Sequence, residues 1–213
     1  HPILIKAPEG IKIAVLGYTD IMNYEGGDDI YFGFDEKSIL QDINDARNLG
    51  AKYIFAMTHM GEEFSHETVD RQDYWYEFVA RHGVDVILGD HPHVTEPVEY
   101  IGKTIVINCS GNFVSSLTTL DQDYGAICNL YMNHDGIECI GIIPIHSVIE
   151  NDGQVCVEEC FRHNDIAGSN IVLKSMLGRA IDYVMPEYFY NENGYLMMNY
   201  DMNTVYGAFG DDS

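Results

Sequence analysis

The sequence predicts an α/β protein in which a parallel βαβαβ unit is followed by antiparallel strands, and three observations carry that prediction. Short apolar runs, IKIAVLG at 11–17, YIFAM at 53–57 and VDVIL at 84–88, read as strands buried on both faces. Two stretches of helical periodicity lie between them, which is the alternation of a parallel sheet with crossover helices. After residue 95 the texture changes to β-rich segments paired around short turns.

Taken in order, residues 11–17 form the first strand and end in the polar loop YTD. The segment DEKSILQDINDARNLG then carries a helix start at Asp35 or Ser38, apolar Ile39, Leu40, Ile43 and Ala46 at helical spacing, and a stop at Gly50. The second strand, 53–57, ends at Thr58 and His59. A second helix is predicted over 65–82, capped by Ser65, with Val69, Trp75 or Tyr76, Phe78 and Val79 facing the core and Gly83 as its stop. The third strand, 84–88, leads into GDHPHV. VEYIGKTIVIN reads as a hairpin turning near Ile101 and Gly102, CNLYMNHDGIECIGIIPI as another around His134, Asp135 and Gly136, and QVCVEE as a further strand. These elements place residues 1–165 in one domain. Residues 166–213, rich in Tyr, Met and Asn and acidic at the end, read as a tail that packs by its aromatics, with partial disorder at the terminus.

The chain has 213 residues, 46% of them hydrophobic, enough for a packed core. Eleven Lys and Arg against 34 Asp and Glu give a formal charge of −23, which repels nucleic-acid backbones and anionic membranes and excludes nucleic acid as a partner. The five cysteines make no CxxC pair, and an odd count cannot pair completely, so they read mostly as buried thiols. No apolar run approaches the roughly 18–20 residues that span a bilayer, and HPILIKAPEG lacks the features of a signal peptide. An export anchor, if the protein is exported, lies outside this chain.

Chemistry concentrates at strand ends. In an extended backbone residues i and i+2 share a face, and Pro92 biases His91 to extended conformations, so His91 and His93 are expected to project together. With His59 at the end of the neighbouring strand, three imidazoles share one rim, where ligands of parallel sheets gather. The HPH pair can serve one metal ion or two neighbouring ones. Glu62, Glu63 and Asp90 are close in sequence and can orient a ring N–H or add charge. His66, His82, His134, His146 and His163 read as hydrogen-bonded loop residues.

THMGEEF at 58–64, VDVILGDHPHVTEPVEYIGKTIVIN at 84–108 and SGNFVSS at 110–116, in that order, resemble the successive signatures of the bacterial CapA-type capsule synthesis, or poly-γ-glutamate synthesis, family. The resemblance runs from about residue 11, with GIKIAVLGYTD, to about 150. It implies a calcineurin-like metallophosphoesterase α/β sandwich with two metal ions. By this resemblance His59, His91 and His93 are metal ligands, His59 and His91 on one ion and His93 on the other, while Glu63, Asp90 and Asn112 shape the site. Met60 stands where Trp is common in the family, and Asp90 where His, Ala or Ser often precedes HPH. The Asp-bearing strand end, the NLE-like segment and the NNH-like loop of the family's first half are not found here. The chain therefore resembles the second half of such a domain, the first half being an expected partner.

The resemblance implies a protein of capsule or poly-γ-glutamate biosynthesis at the cell surface, working with the capsule synthesis machinery. Its implied cofactors are divalent ions, with Mn, Fe or Zn as candidates and the site incomplete in this chain alone. The implied activity is metal-dependent hydrolysis of an anionic ester or related bond, the substrate being an anionic polymer or a phosphoester. The alternative is a non-catalytic surface scaffold that assists polymer assembly or export. A closed structural zinc site is disfavoured because no cysteine accompanies these loop histidines.

Overall fold

The structure is a computed structural model that describes residues 2–21, 33–117, 119, 121–160, 162–177 and, for the backbone alone, 196–199. The chain divides into two compact units, one made of His1–Pro92 with Val98–Cys109 and the other of His93–Pro97 with Ser110–Ser213.

The first unit is built on a six-stranded sheet in the order β1-β2-β3-β4-β6-β5, where β1 is Ile3–Lys6, β2 Lys12–Thr19, β3 Tyr53–His59, β4 Val86–Asp90, β5 Val98–Ile101 and β6 Thr104–Ile107. Strands β2, β3, β4 and β6 run parallel, while β1 and β5 are antiparallel edges. Helices α1, Glu36–Asn48, and α2, Asp70–Arg81, are the crossovers, so the βαβαβ order expected from periodicity is the order observed. Two things differ from that expectation. The 98–107 hairpin joins the parallel sheet instead of opening the antiparallel region, and residues 3–6 add an edge strand whose exposed Ile3, Leu4 and Ile5 carry no alternating pattern.

Period-two geometry sorts the sheet's faces. Ala14, Leu16, Tyr18, Ile54, Ala56, Ile87 and Val106 belong to one buried cluster with Ile39, Ile43 and Ala46 of α1 and with Tyr76 and Val79 of α2. Helix α1 begins at Asp35, whose carboxylate accepts from the Ser38 amide at 2.8 Å, so Asp35 and not Ser38 is the cap. Helix α2 begins five residues later than Ser65. The Ser65 hydroxyl accepts the Glu67 amide at 3.2 Å in a local turn, and the Gln72 side chain accepts the Val69 amide at 2.9 Å. Of the expected inward residues, Tyr76 and Val79 are buried, and Trp75 and Phe78 pack on the cluster partly buried.

The second unit is organised by the 13-residue strand β8, Ile137–Ile149. It pairs along its length with β7, Tyr124–Met132, and its other edge is shared by β9, Val155–Glu159, and β10, Leu196–Asn199. The β7–β8 turn is the expected one, closed by Asn133 Oδ1 accepting the Asp135 and Gly136 amides. Helix α3, Ile166–Leu177, lies within the segment read as a tail; it packs on β7 and β8 and buries Val172, Leu173, Met176 and Leu177. Its weak amphipathicity hid it, since apolar residues surround it almost continuously. The remaining tail residues, 178–195 and 200–213, lie outside the described residues. All five cysteines are outside any disulfide, with Cys109 and Cys160 buried and the other three partly so. Among the described residues no helix is long and apolar enough to cross a membrane.

Candidate functional site

The rim at the carboxyl ends of β2, β3 and β4 collects polar side chains because each strand ends where its apolar run stops. His59 and Asp90 are direct register partners at the last positions of β3 and β4. The loops that follow are stitched by two backbone bonds, Met60 N–H to Asp90 O at 3.0 Å and Phe64 N–H to Pro92 O at 2.8 Å. Gly61 in the first loop has φ +122°, and a Cβ there would lie 3.0 Å from Pro92 Cγ. The glycine of the GEE motif is therefore required by the close approach of the second loop.

His91 is buried and its Nδ1 lies 3.2 Å from His59 Nε2, with the ring planes at 67°. Two nitrogens each about 2.0–2.1 Å from one tetrahedral ion stand at about this separation, so the pair matches two neighbouring ligand positions. As it stands, the same geometry is a hydrogen bond from one ring to the other. His59 Nδ1 faces Asp90 Oδ2 at 3.5 Å, which favours the tautomer that leaves the Nε2 lone pair toward His91. His59 and Asp90 are well exposed, so this ion pair adds little stability.

The backbone of the HPH segment departs from the extended form that the sequence suggests. Strand β4 stops at Asp90, His91 has φ +113° and His93 φ +63°. Non-glycine residues in such conformations cost on the order of 1–3 kcal/mol and concentrate at functional sites. Pro92 thus joins two turned residues, and a shared strand face does not explain where the imidazoles point.

Of the three imidazoles, His59 and His91 meet within the first unit, while His93 is held within the second. There His93 Nδ1 lies 2.9 Å from Asn112 Oδ1, and Asn112 Nδ2 donates to Gln122 O at 2.9 Å. A backbone carbonyl only accepts, so it fixes the amide's orientation, and Asn112 Oδ1 must accept from His93 Nδ1–H. In the neutral ring Nε2 of His93 is thereby the acceptor nitrogen. Glu63 is exposed on the turn after Gly61.

Other polar groups have partners that their sequence context does not indicate. The side chain of Asp20, just past β2, is buried and paired with Arg71 of α2 at 2.7 Å, and the Asp20 N–H points to His59 O at 3.4 Å. An open cleft of about 270 Å³ beside His59 is lined mainly by Tyr18, Thr19, Met57, Leu88 and Asp90. In the second unit His146 lies in β8, not in a loop; its Nε2 is 3.2 Å from Asp123 Oδ2 and its Nδ1 3.5 Å from Asp165 Oδ2. Tyr124 stacks on its ring, and burial followed by the Asp165 and Asp123 charges pushes that phenol up to about 12. Burial, with Asp165 close by, also pushes the Cys160 thiol up to about 12.

Among the described residues no group of three or more His, Cys, Asp or Glu side chains is arranged to hold a metal ion. The donors present therefore fit as two ligands of one ion and do not amount to the two-ion centre that the motif resemblance implies.

The model of the family described as bacterial capsule synthesis protein PGA_cap matches residues 1–117. The chain is similar to the PGA biosynthesis protein CapA of Bacillus subtilis (strain 168), 27% identical over 144 residues, covering 64% of this chain and 37% of that protein. It is also similar to the capsule biosynthesis protein CapA of Bacillus anthracis, 24% identical over 153 residues, covering 68% and 37%. The chain thus spans about 37% of the length of these curated relatives. Among solved structures it is similar to "Termus thermophilus Sulfate thiohydrolase SoxB in complex with glycerol", with a TM-score of 0.46 and 18% identity over 81% of this chain and 28% of that one.

Proposed function

The chain belongs to the bacterial capsule synthesis protein PGA_cap family, and from that premise we propose that it serves capsule or poly-γ-glutamate biosynthesis at the cell envelope. In this reading His59 and His91 supply two ligands of a divalent metal centre, with Mn, Fe or Zn as the candidate ions. The observation that carries it is the 3.2 Å approach of their ring nitrogens at a strand-end rim, on a backbone strained at His91. In a protein of the relatives' length, donors from elsewhere in the polypeptide complete the ligand set; His93, within the second unit, is read by itself as a metal ligand. A bound divalent ion supplies positive charge through which a protein of formal charge −23 meets an anionic ester or carboxylate polymer. The activity proposed for such a protein is hydrolysis of an anionic ester or related bond, and an anchor outside this chain holds it at the envelope.

The test is metal analysis of the full-length protein with its His59→Ala and His91→Ala variants, combined with phosphodiester and γ-glutamyl substrates. Stoichiometric metal lost in either variant, together with turnover lost in parallel, supports the reading. A full-length preparation with neither metal nor turnover sinks it. That result favours a non-catalytic scaffold for polymer assembly or export.

A further inference from the structure

Helix α2 packs in one buried cluster with Ile54 and Ala56 of β3 and Ile87 of β4, and the inward stripe of that helix is unexpectedly polar. Of its buried residues Gln72, Tyr76 and Val79, two carry hydrogen-bonding tips. The Tyr76 hydroxyl lies 2.8 Å from Thr58 Oγ1 in a fully buried contact, and Thr58 immediately precedes His59. The same hydroxyl would stand 2.6 Å from a Cβ at residue 89, a position kept clear by Gly89, which immediately precedes Asp90. The phenol tip therefore sits between the last residues of β3 and β4 before each strand gives way to its site loop.

A phenylalanine would fill the same core volume. A buried hydroxyl returns little net stability when bonded, because it gives up water to do so, and its oxygen contributes direction more than stability. We infer that Tyr76 is a positioning residue for the imidazole pair, its hydroxyl fixing the end of β3 against β4 so that His59 Nε2 and His91 Nδ1 meet across 3.2 Å. The inference rests on the metal-ligand reading of that pair for its functional meaning. Its geometric content stands apart from metal. Helix α2 thereby acts on the site from the side opposite the His59 ring: Thr58 projects toward the helix and His59 away from it.

The experiment uses the whole 213-residue chain and compares the wild type with Tyr76→Phe, Thr58→Val and the hydroxyl-retaining Thr58→Ser. The readouts are histidine side-chain ¹H–¹⁵N spectra and titration with Zn²⁺ alone. Tyr76→Phe and Thr58→Val are expected to move the ring-nitrogen signals of His59 and His91 alike, leaving those of His134 in place. They should weaken Zn²⁺ uptake about tenfold, the order seen when partners behind metal ligands are removed. Thr58→Ser should restore both. Unchanged His59 and His91 ring signals in Tyr76→Phe overturn the inference, whatever the melting temperature does. A wild-type chain that takes up no Zn²⁺ while the ring signals still move in the two variants supports the positioning role and removes the metal reading alone.

Discussion

The two units hold their histidines by different means. In the first, His59 and His91 are placed by backbone: adjacent parallel strands in register, two amide–carbonyl stitches between loops, and a glycine that admits Pro92. In the second, His93 and His146 are placed by side chains, the one by Asn112 and the other between Asp123 and Asp165. Backbone placement tolerates exchange of many side chains provided the strands, the glycines and the Tyr76–Thr58 contact behind them remain, whereas side-chain placement depends on the groups that touch the ring. The family match reaches residue 117, which takes in the whole first unit and only the opening of the second. The match therefore takes in His93 and Asn112 along with His59 and His91, and leaves out Asp123, His146 and Asp165.

The sharpest way to break the backbone-held site is at Gly89. A Cβ there would stand 1.9 Å from Asn108 O, so Gly89→Ala must push β4 from β6; the expected loss is about 3 kcal/mol or more in chemical denaturation, or failure to fold. A Gly89→Ala protein as stable as the wild type would mean that the strand spacing is soft. The corresponding break in the second unit is His146→Gln, which leaves Asp123 and Asp165 facing one another, each less than a third exposed. Its expected cost is about 1–3 kcal/mol by the same measurement, with α3 losing helical signal first because Asp165 Oδ1 also accepts the Gly168 amide at the start of that helix.

A gentler change sharpens the contrast. Asn112→Leu removes the acceptor that fixes the His93 tautomer, and the His93 ¹⁵N shifts should move toward a mixture of tautomers while His59 and His91 keep theirs. Equal movement of all three would erase the distinction between the two modes of placement. The smallest effect concerns acid. The hydrogen bonds from Ser38 hold the Asp35 carboxyl below its usual range, so its contribution is present above the unfolded value of about 3.9 and is lost as pH falls through the lower folded value. Asp35→Asn keeps an acceptor at the cap without the titration. The variant's thermal stability should change less than that of the wild type between about pH 4 and pH 2.

What could be read from sequence follows the same division. The βαβαβ order was legible because buried parallel strands and amphipathic helices have periods that local sequence records, and Asp35, Gly50 and Gly83 mark helix ends by their own chemistry. The 98–107 hairpin's allegiance to the first sheet was not, since the partner of β6 is β4 and nothing in VEYIGKTIVIN names it. Helix α3 was missed because a helix that is apolar nearly all round has no period to find. His59 and His91 were legible as strand-end histidines, yet the reason given for HPH failed: the bias Pro92 places on its predecessor yielded to tertiary contacts that hold His91 at φ +113°. His146 was misplaced because the carboxylates that flank it, Asp123 and Asp165, lie 23 and 19 residues away in the sequence.

The bond from Phe64 N–H to Pro92 O spans the two loops although Phe64 itself lies on the surface. Solvent hydrogen exchange at this one amide is therefore a gauge of the loop bearing His91: it slows only while both loops stay closed together. Its rate, followed residue by residue without any ligand, reports how often the rim opens and how much the strained imidazole pair is worth in keeping it shut.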